Sequence, residues 1–374
     1  MKIGILTVPF NNNYGGFLQE FALKKVLTTL GHDVIFIIRK RDKSTWRILL
    51  KRFIWKCITP HRIILFRTIK SKKLSKYTNE FVINYLFPFT KPFFNSRDLY
   101  NEISQYKIDC YIVRSDQVWR YAYAKNSIKD YFFDFLKNDN IPRFSYAASF
   151  GTSVDEYPDE LKVDCSILLN KFISLSVRED SAIELLKNVF KIDLPIQAVL
   201  DPTLLLSPSI YLNLAKKSAK RFPQEYLFCY ILDMTKEKEN CLSAIAQEYN
   251  IEIVSFNAQS ASLLEKKPIR PVEEWLASIY EAKCVLTDSY HGMIFSIIFN
   301  KPFLVFGNIN RGIERFTSIL NKLGLTERLI SNNYSKDISR LNIPIAWDSV
   351  NARVERMRLN SIKYISDTLK LIEK

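Results

Sequence analysis

Short β-branched or aromatic runs alternate along this chain with longer segments of helical spacing, and no other feature restricts its fold as tightly. Lys2 to Val8 reads as a buried strand, Gly16 to Leu30 as a helix and Asp33 to Ile38 as a second strand, a βαβ opening whose strands pair in parallel. Strand candidates recur at Cys110 to Val113, Arg143 to Ala147 and Ile173 to Val177. A second series runs through Tyr226 to Leu232, Ile251 to Phe256, Cys284 to Thr287 and Pro302 to Phe306. At 374 residues the chain is too long for one ordinary domain, so the two series predict an α/β fold with two Rossmann-like domains facing a central cleft. The expected bounds are 1–205 and 206–348, with Pro202, Pro208 and Pro223 marking 202–224 as the linker region. Residues 349–374 keep helical spacing and are expected to cross back onto the first domain.

Open α/β sheets bind ligands beyond the carboxyl ends of their strands, so polar clusters directly after strands mark where chemistry is expected. Five occur: Asn11-Asn12-Asn13-Tyr14-Gly15-Gly16, Arg114-Ser115-Asp116-Gln117, Ser149-Phe150-Gly151, Arg178-Glu179 and Asp288-Ser289-Tyr290-His291-Gly292. The first opens a helix whose amino terminus can bind an anion through backbone N–H groups; equally, Asn13 can cap that helix and Gly15 and Gly16 can serve only a tight turn. Of three histidines, only His291 stands between a strand end and a helix start, where an imidazole can donate a proton or hydrogen-bond an anion, or serve only to satisfy local backbone. Arg178 ends an otherwise apolar strand, which suits bidentate capture of a carboxylate or phosphate, with a salt bridge to Asp180 or Asp201 as the alternative. Arg311 and Arg315, at a strand-to-helix loop, can add positive charge there or simply lie exposed. Asp116, Asp201 and Asp288 each stand near a strand end as a general base, a helix cap or a turn former.

The formal net charge is +15, and nearly all of it is local. Residues 39–76, an insertion in the first domain, hold fourteen Lys or Arg against Asp42 alone, or +13, which leaves +2 for the rest of the chain. Within it, Trp46, Leu49, Leu50, Phe53, Ile54 and Cys57 share one arc of a helix from Ser44 to Ile58, opposite Arg47, Lys51, Arg52 and Lys56. Residues 44–76 therefore read either as an interfacial element on an anionic membrane surface or as a surface helix packing its apolar face on the core. Nucleic acid is not the expected partner, because no homeodomain, finger or RRM signature accompanies the charge.

Other classes lose their support. With nine glycines, no G-x-G-x-x-G and no G-x-x-x-x-G-K-[ST], both the dinucleotide fingerprint and the Walker loop are absent. Six cysteines without a C-x-x-C pair argue against a zinc knuckle or a disulfide framework and fit a reducing compartment. The first residues do not read as a signal peptide, and no run approaches the ~18 apolar residues of a membrane span. A cytoplasmic protein, peripheral on the inner membrane face if 44–76 binds lipid, is expected.

Taken together and in order, seven stretches resemble the polysaccharide pyruvyl transferase family: NNYGGFLQEFAL (12–23), SDQVW (115–119), SYAASFG (145–151), SVRE (176–179), LDPTLLL (200–206), TDSYHGMIFSIIFNKPF (287–303) and ERFTSILNKLGL (314–325). The resemblance implies a GT-B-like pair of domains and transfer of the pyruvyl group of phosphoenolpyruvate to two hydroxyls of a sugar, closing a cyclic ketal on a cell-surface polysaccharide precursor. The family histidine motif falls on His291, with Ser289 and Tyr290 beside it, and the family arginine on Arg178. One departure is Arg114, where the family commonly has glycine before Ser-Asp-Gln; it alters that loop or adds a cation beside the donor.

The donor carries a carboxylate and a phosphate and must receive a proton at its methylene carbon. Arg178, Ser289, Tyr290, Gly292, Arg311 and Arg315 are therefore expected on the donor side, and Asn13, Tyr14, Gly15, Gly16, Ser115 and Gln117 on the acceptor side. His291 would serve as acid or phosphate ligand, and Asp116 or Asp201 as base. No step demands a metal or a cofactor beyond phosphoenolpyruvate as co-substrate. The expected acceptor is a saccharide linked to undecaprenyl diphosphate. Two alternatives remain, a nucleotide-sugar glycosyltransferase of the same architecture and a non-catalytic carbohydrate or lipid-surface binding protein.

Overall fold

The computed structural model describes residues 1–7, 13–40, 75–136, 140–257, 269–307, 312–330 and 337–373. The amphipathic helix expected at 44–58, the segment 44–76 read as either membrane-facing or core-packing apart from its last two residues, and Arg311 lie outside the described residues. Arg39, counted in the basic stretch, is buried and donates from Nε to Asp130 Oδ2 at 2.6 Å, so it belongs to the core.

The first sheet holds β1 (Lys2–Thr7), β2 (Asp33–Ile38), β3 (Cys110–Val113) and β4 (Arg143–Ser145) in the order β2-β1-β3-β4, all parallel. Single bridges Phe144 to Ser174 and Ala148 to Val177 continue it to a parallel pair, β5 (Leu175–Val177) and β6 (Ile196–Ala198). The second sheet holds β7 (Tyr226–Ile231), β8 (Glu252–Asn257), β9 (Cys284–Thr287), β10 (Phe303–Phe306) and β11 (Leu329–Ile330) in the parallel order β11-β10-β9-β7-β8. Each sheet thus reverses its strand order once, between β1 and β3 and between β7 and β9, which opens a crevice beyond those strand ends. Wholly buried runs such as GILT in β1 and CVLT in β9 suit strands covered on both faces.

Helix α1 (Tyr14–Thr29) follows β1, and α2 (Asp159–Leu169) and α3 (Asp180–Asn188) flank β5. In the second unit α4 (Pro208–Ala215), α5 (Lys236–Glu248), α6 (Val272–Glu281), α7 (Tyr290–Ile298) and α8 (Glu314–Leu323) surround the sheet. The region read as a linker is not loose chain: Ser207 caps α4, Pro208 fills its first turn, and buried Tyr211 donates to Thr203 O at 2.8 Å. Prolines at helix starts read like linker prolines because both positions lack a need for the N–H. Helix α9 (Trp347–Ile372) lies on the first unit, where Tyr364 donates to Ser145 O at 2.9 Å and Arg358 Nε to Leu204 O at 2.9 Å.

One apolar cluster joins the units. It contains Ile3, Leu18 and Leu23 of the first and Trp275, Met293 and Phe295 of the second, while separate clusters fill the outer faces of the two sheets. Tyr14 stacks on Trp275 with centroids 5.4 Å apart, fastening the start of α1 to α6. The five described cysteines are buried and free, and among the described residues no helix is long and apolar enough to cross a membrane.

Candidate active site

The start of α1 and the loops after β3, β5 and β9 converge at the two points of strand reversal. Asp201 lies at their centre, 1% exposed, and caps the short 3-10 turn Pro202–Leu205. Its Oδ1 accepts from Thr203 N at 3.0 Å and Thr203 Oγ1 at 2.7 Å. Its Oδ2 accepts from Gln19 Nε2 at 2.6 Å, from Arg178 Nη1 at 2.9 Å and from Ser115 Oγ at 3.5 Å. From the second unit, His291 Nε2 faces the same Oδ2 at 3.6 Å, an ion-pair separation rather than a hydrogen bond. Burial alone would raise the Asp201 pKa, but His291, Arg178 and the Thr203 hydrogen bond together hold it well below the usual carboxylate range.

Helix α7 presents the imidazole. Ser289 caps it, accepting from Gly292 N at 3.4 Å, and Ser289 N donates to Thr287 Oγ1 at 3.0 Å, so the turn is tied to the end of β9. Gly292 is required there: a Cβ would stand 2.4 Å from Thr287 Oγ1. Gly15 meets the other edge of the imidazole so closely that a Cβ would stand 2.0 Å from His291 Nδ1, whereas a Cβ at Gly16 would find nothing nearer than 3.8 Å. Asn13 caps α1, accepting from Gly15 N at 3.1 Å. Tyr14 is turned into the aromatic seam, its hydroxyl donating to Arg270 O at 3.0 Å.

Arg178 is 5% exposed and runs beneath the ring of Tyr290, 4.9 Å from its centroid; Arg315 of α8 lies 5.1 Å from the same ring. Both guanidiniums face Asp116 Oδ1 at 3.8 Å, one from each unit. Arg178, Arg114 and Arg315 outweigh burial and lower the Asp116 pKa, while burial and then Arg178 lower that of Arg315. Asp116 holds a left-handed φ of 99° and its side chain is 24% exposed, the one partly open carboxylate of the group. Among the described residues, Arg178 Nε and Nη2 and His291 Nε2 are buried without a hydrogen-bond partner. Donors in that condition carry a desolvation cost unless something accepts from them.

Some residues carry the site without having been singled out. Glu179 Oε1 accepts from Ser149 Oγ, Phe150 N and Gly151 N at 2.7, 3.0 and 3.1 Å, so the SYAASFG loop is wrapped around this carboxylate. Gln19 supports Asp201 from inside α1, and its signal in the sequence was a polar Gln19-Glu20 pair inside an apolar helical stretch. Arg114 is engaged within the first unit: it donates to Thr7 Oγ1 at 2.8 Å and Gln19 Oε1 at 3.1 Å and pairs with Glu20 at 3.0 Å, while its charge still reaches Asp116. Asp288 is a structural clamp, accepting from Leu232 N, Asp233 N and Lys238 Nζ at 2.6, 3.1 and 2.7 Å. Gln117 packs against Gly151 and accepts from Arg120 Nη1 at 2.9 Å. Among the described residues no group of three or more His, Cys, Asp or Glu side chains is placed to hold a metal ion.

A buried carboxylate set between an imidazole and a guanidinium, with a second guanidinium alongside, can grip an anion and move a proton beside it. The fold is shared with solved proteins. A UDP-GlcNAc 2-epimerase from Methanocaldococcus jannaschii in complex with UDP-GlcNAc and UDP is 16% identical, covering 92% of this chain and 93% of that one, with a TM-score of 0.54. The UDP-GlcNAc 2-epimerase from Neisseria meningitidis bound to UDP-GlcNAc is 10% identical, covering 99% of each, with a TM-score of 0.55. These likenesses establish the GT-B-like architecture of two Rossmann-like units. No curated protein sequence matches the chain. Residues 13–310, from the asparagine that caps α1 to beyond the histidine turn of α7, match the family model of the polysaccharide pyruvyl transferases, and the chain belongs to that family.

Proposed function

We propose that this transferase moves the pyruvyl group of phosphoenolpyruvate onto two hydroxyls of one sugar to form a cyclic ketal, releasing inorganic phosphate. The observation that carries the reading is the meeting of His291 and Arg178 on one Asp201 oxygen, with donors on both left unpartnered. Arg178 and Arg315 take the carboxylate and phosphate of the donor. His291 delivers a proton to the methylene carbon, C2 becomes oxocarbenium-like, and the first hydroxyl adds there as its proton passes to a base. Phosphate then leaves with its bonding pair, the second hydroxyl closes the ring and gives up its own proton.

Asp201 is poorly suited to be that base, since all its hydrogen bonds favour the ionised form; it orients His291 and Arg178. Asp116 is better placed. Facing both guanidiniums, it stands where the donor anion belongs, and its partial exposure lets it turn toward the acceptor as that anion arrives. The shared site holds three carboxylates, Asp116, Asp201 and Glu179, against two guanidiniums, so a doubly charged donor enters only as one carboxylate withdraws.

The acceptor we infer is a saccharide on undecaprenyl diphosphate, with residues 44–76 holding the enzyme to the anionic inner leaflet. Co-sedimentation with anionic vesicles at low and high salt tests that part; binding that ignores lipid charge or survives high salt rejects it. The reaction itself is tested by incubating the protein with phosphoenolpyruvate and lipid-linked or simple glycosides. Ketal formation adds one pyruvate less one water to the acceptor mass. The fold relatives that carry UDP-GlcNAc make a nucleotide-sugar transferase the second reading, and release of a nucleoside diphosphate from a sugar nucleotide would select it.

A further inference from the structure

We infer that Gln19 is a positioning residue of the active site, its side-chain amide fixed by Arg114 so that Nε2 donates to the Asp201 oxygen shared by His291 and Arg178. A side-chain amide can present either its oxygen or its nitrogen to a neighbour. Arg114 can only donate, and its Nη1 stands 3.1 Å from Gln19 Oε1, so the oxygen must face the guanidinium. The nitrogen is thereby aimed at Asp201 Oδ2, 2.6 Å away, and at Ser115 Oγ, 3.1 Å away. Gln19, Arg114, Ser115 and Asp201 are all 0–1% exposed, so water cannot substitute for any member. Glu20, also fully buried, pairs with Arg114 Nη2 and keeps that guanidinium in place.

Gln19 matters because Asp201 Oδ2 has several claimants. Arg178 holds it at 2.9 Å and His291 lies at 3.6 Å, while Asp116, Arg315 and Glu179 are the charged groups one layer out. Removing the amide takes the positive end of an N–H dipole away from that oxygen. More of the carboxylate's charge then faces the imidazole, which binds its proton more tightly. The same loss loosens the carboxylate that sets the position of both His291 and Arg178.

The inference rests on the proposed reaction for its meaning, yet one of its tests needs no turnover. In the full chain carrying labelled histidine, NMR titration of His291, identified by its absence in His291→Ala, is compared between wild type, Gln19→Leu and Gln19→Met. The midpoint is expected to rise by about half a unit or more in both variants, with the melting temperature kept in at least one. An Arg114→Met, Glu20→Met double variant, which removes the pair together, should move it in the same direction, and adding Gln19→Leu should move it no further. An unmoved midpoint in a folded Gln19 variant overturns the assignment. With phosphoenolpyruvate and acceptor, the Gln19 variants should lose about 10- to 100-fold in kcat, the effect expected of one hydrogen bond to a charged group. Loss of folding stability with unchanged kcat also overturns it. A wild type that does not consume phosphoenolpyruvate refutes the proposed reaction instead, and leaves the titration to decide on Gln19.

Discussion

Replacing Gly15 by alanine tests the site through a single methyl group. The new Cβ would stand 2.0, 2.2 and 2.7 Å from Nδ1, Cγ and Cβ of His291, whereas ordinary contact begins near 3.4 Å. The imidazole must therefore retreat by 3.4 minus 2.0, or 1.4 Å, if the helix does not yield. A shift of that size is large against the 3.6 Å that separates Nε2 from Asp201, so the ring cannot keep its placement against the carboxylate. Overpacking of this kind costs about 1–3 kcal/mol of stability, and loss of a placed acid or base lowers turnover by about 10²–10⁴-fold. The neighbouring Gly16→Ala is the control, because its Cβ meets nothing nearer than 3.8 Å and alanine in a helix is favoured by roughly 0.5–1 kcal/mol. Phosphate release from phosphoenolpyruvate with acceptor, alongside urea unfolding, reads both variants. A Gly15→Ala enzyme that keeps more than a tenth of wild-type turnover, or a Gly16→Ala enzyme that falls as far, refutes the reasoning.

Three further perturbations separate roles that the site combines. Arg178→Ala should raise the KM for phosphoenolpyruvate and lower kcat together, since the guanidinium faces charge in both ground and transition states; unchanged kinetics reject it as a donor ligand. Asp288→Ala should leave Lys238 as an unpaired buried charge and cost about 3–5 kcal/mol in urea unfolding, marking it as a clamp; a loss under 1 kcal/mol would show that the clamp is idle. Burial lifts the Glu20 pKa to about 7 despite Arg114, so the folded state holds a proton that the unfolded chain releases near 4.5. Stability from this group is complete below that lower value and drains as pH rises through 7, by about 3 kcal/mol in all; Glu20→Gln should flatten this slope between pH 5 and 8, and parallel curves would contradict it.

Much of the fold was legible because the strands are short buried runs with sharp ends. Cys110 to Val113 and Cys284 to Thr287 were read to the residue, and Asp33 to Ile38 likewise. The strands missed, Ile196–Ala198 and Leu329–Ile330, are three and two residues long and have no hydrophobic period to detect. At the site, the sequence pointed to residues standing after strands, and the structure brings His291, Arg178, Asp201, Asp116, Tyr290 and Arg315 together. It could not apportion them. Asp116, Asp201 and Asp288 looked equivalent as acids near strand ends, and only their partners tell a cleft-facing group from an anchor and a clamp. Arg114 was equally opaque, since a guanidinium beside an active loop reads as a ligand until Glu20 and Gln19 are seen to engage it.

Glycines 151 and 312 meet across the rim with left-handed φ values of 69° and 90°, so close that a Cβ on the latter would stand 2.4 Å from the former's carbonyl oxygen. Bare backbone against bare backbone makes a latch without a side chain to unhook. The imidazole belongs to one half of the molecule and its carboxylate to the other, so the pair exists only where the two halves meet. On the proposed reaction, delivery of the proton to the donor therefore depends on the seam between the halves and not on either half alone.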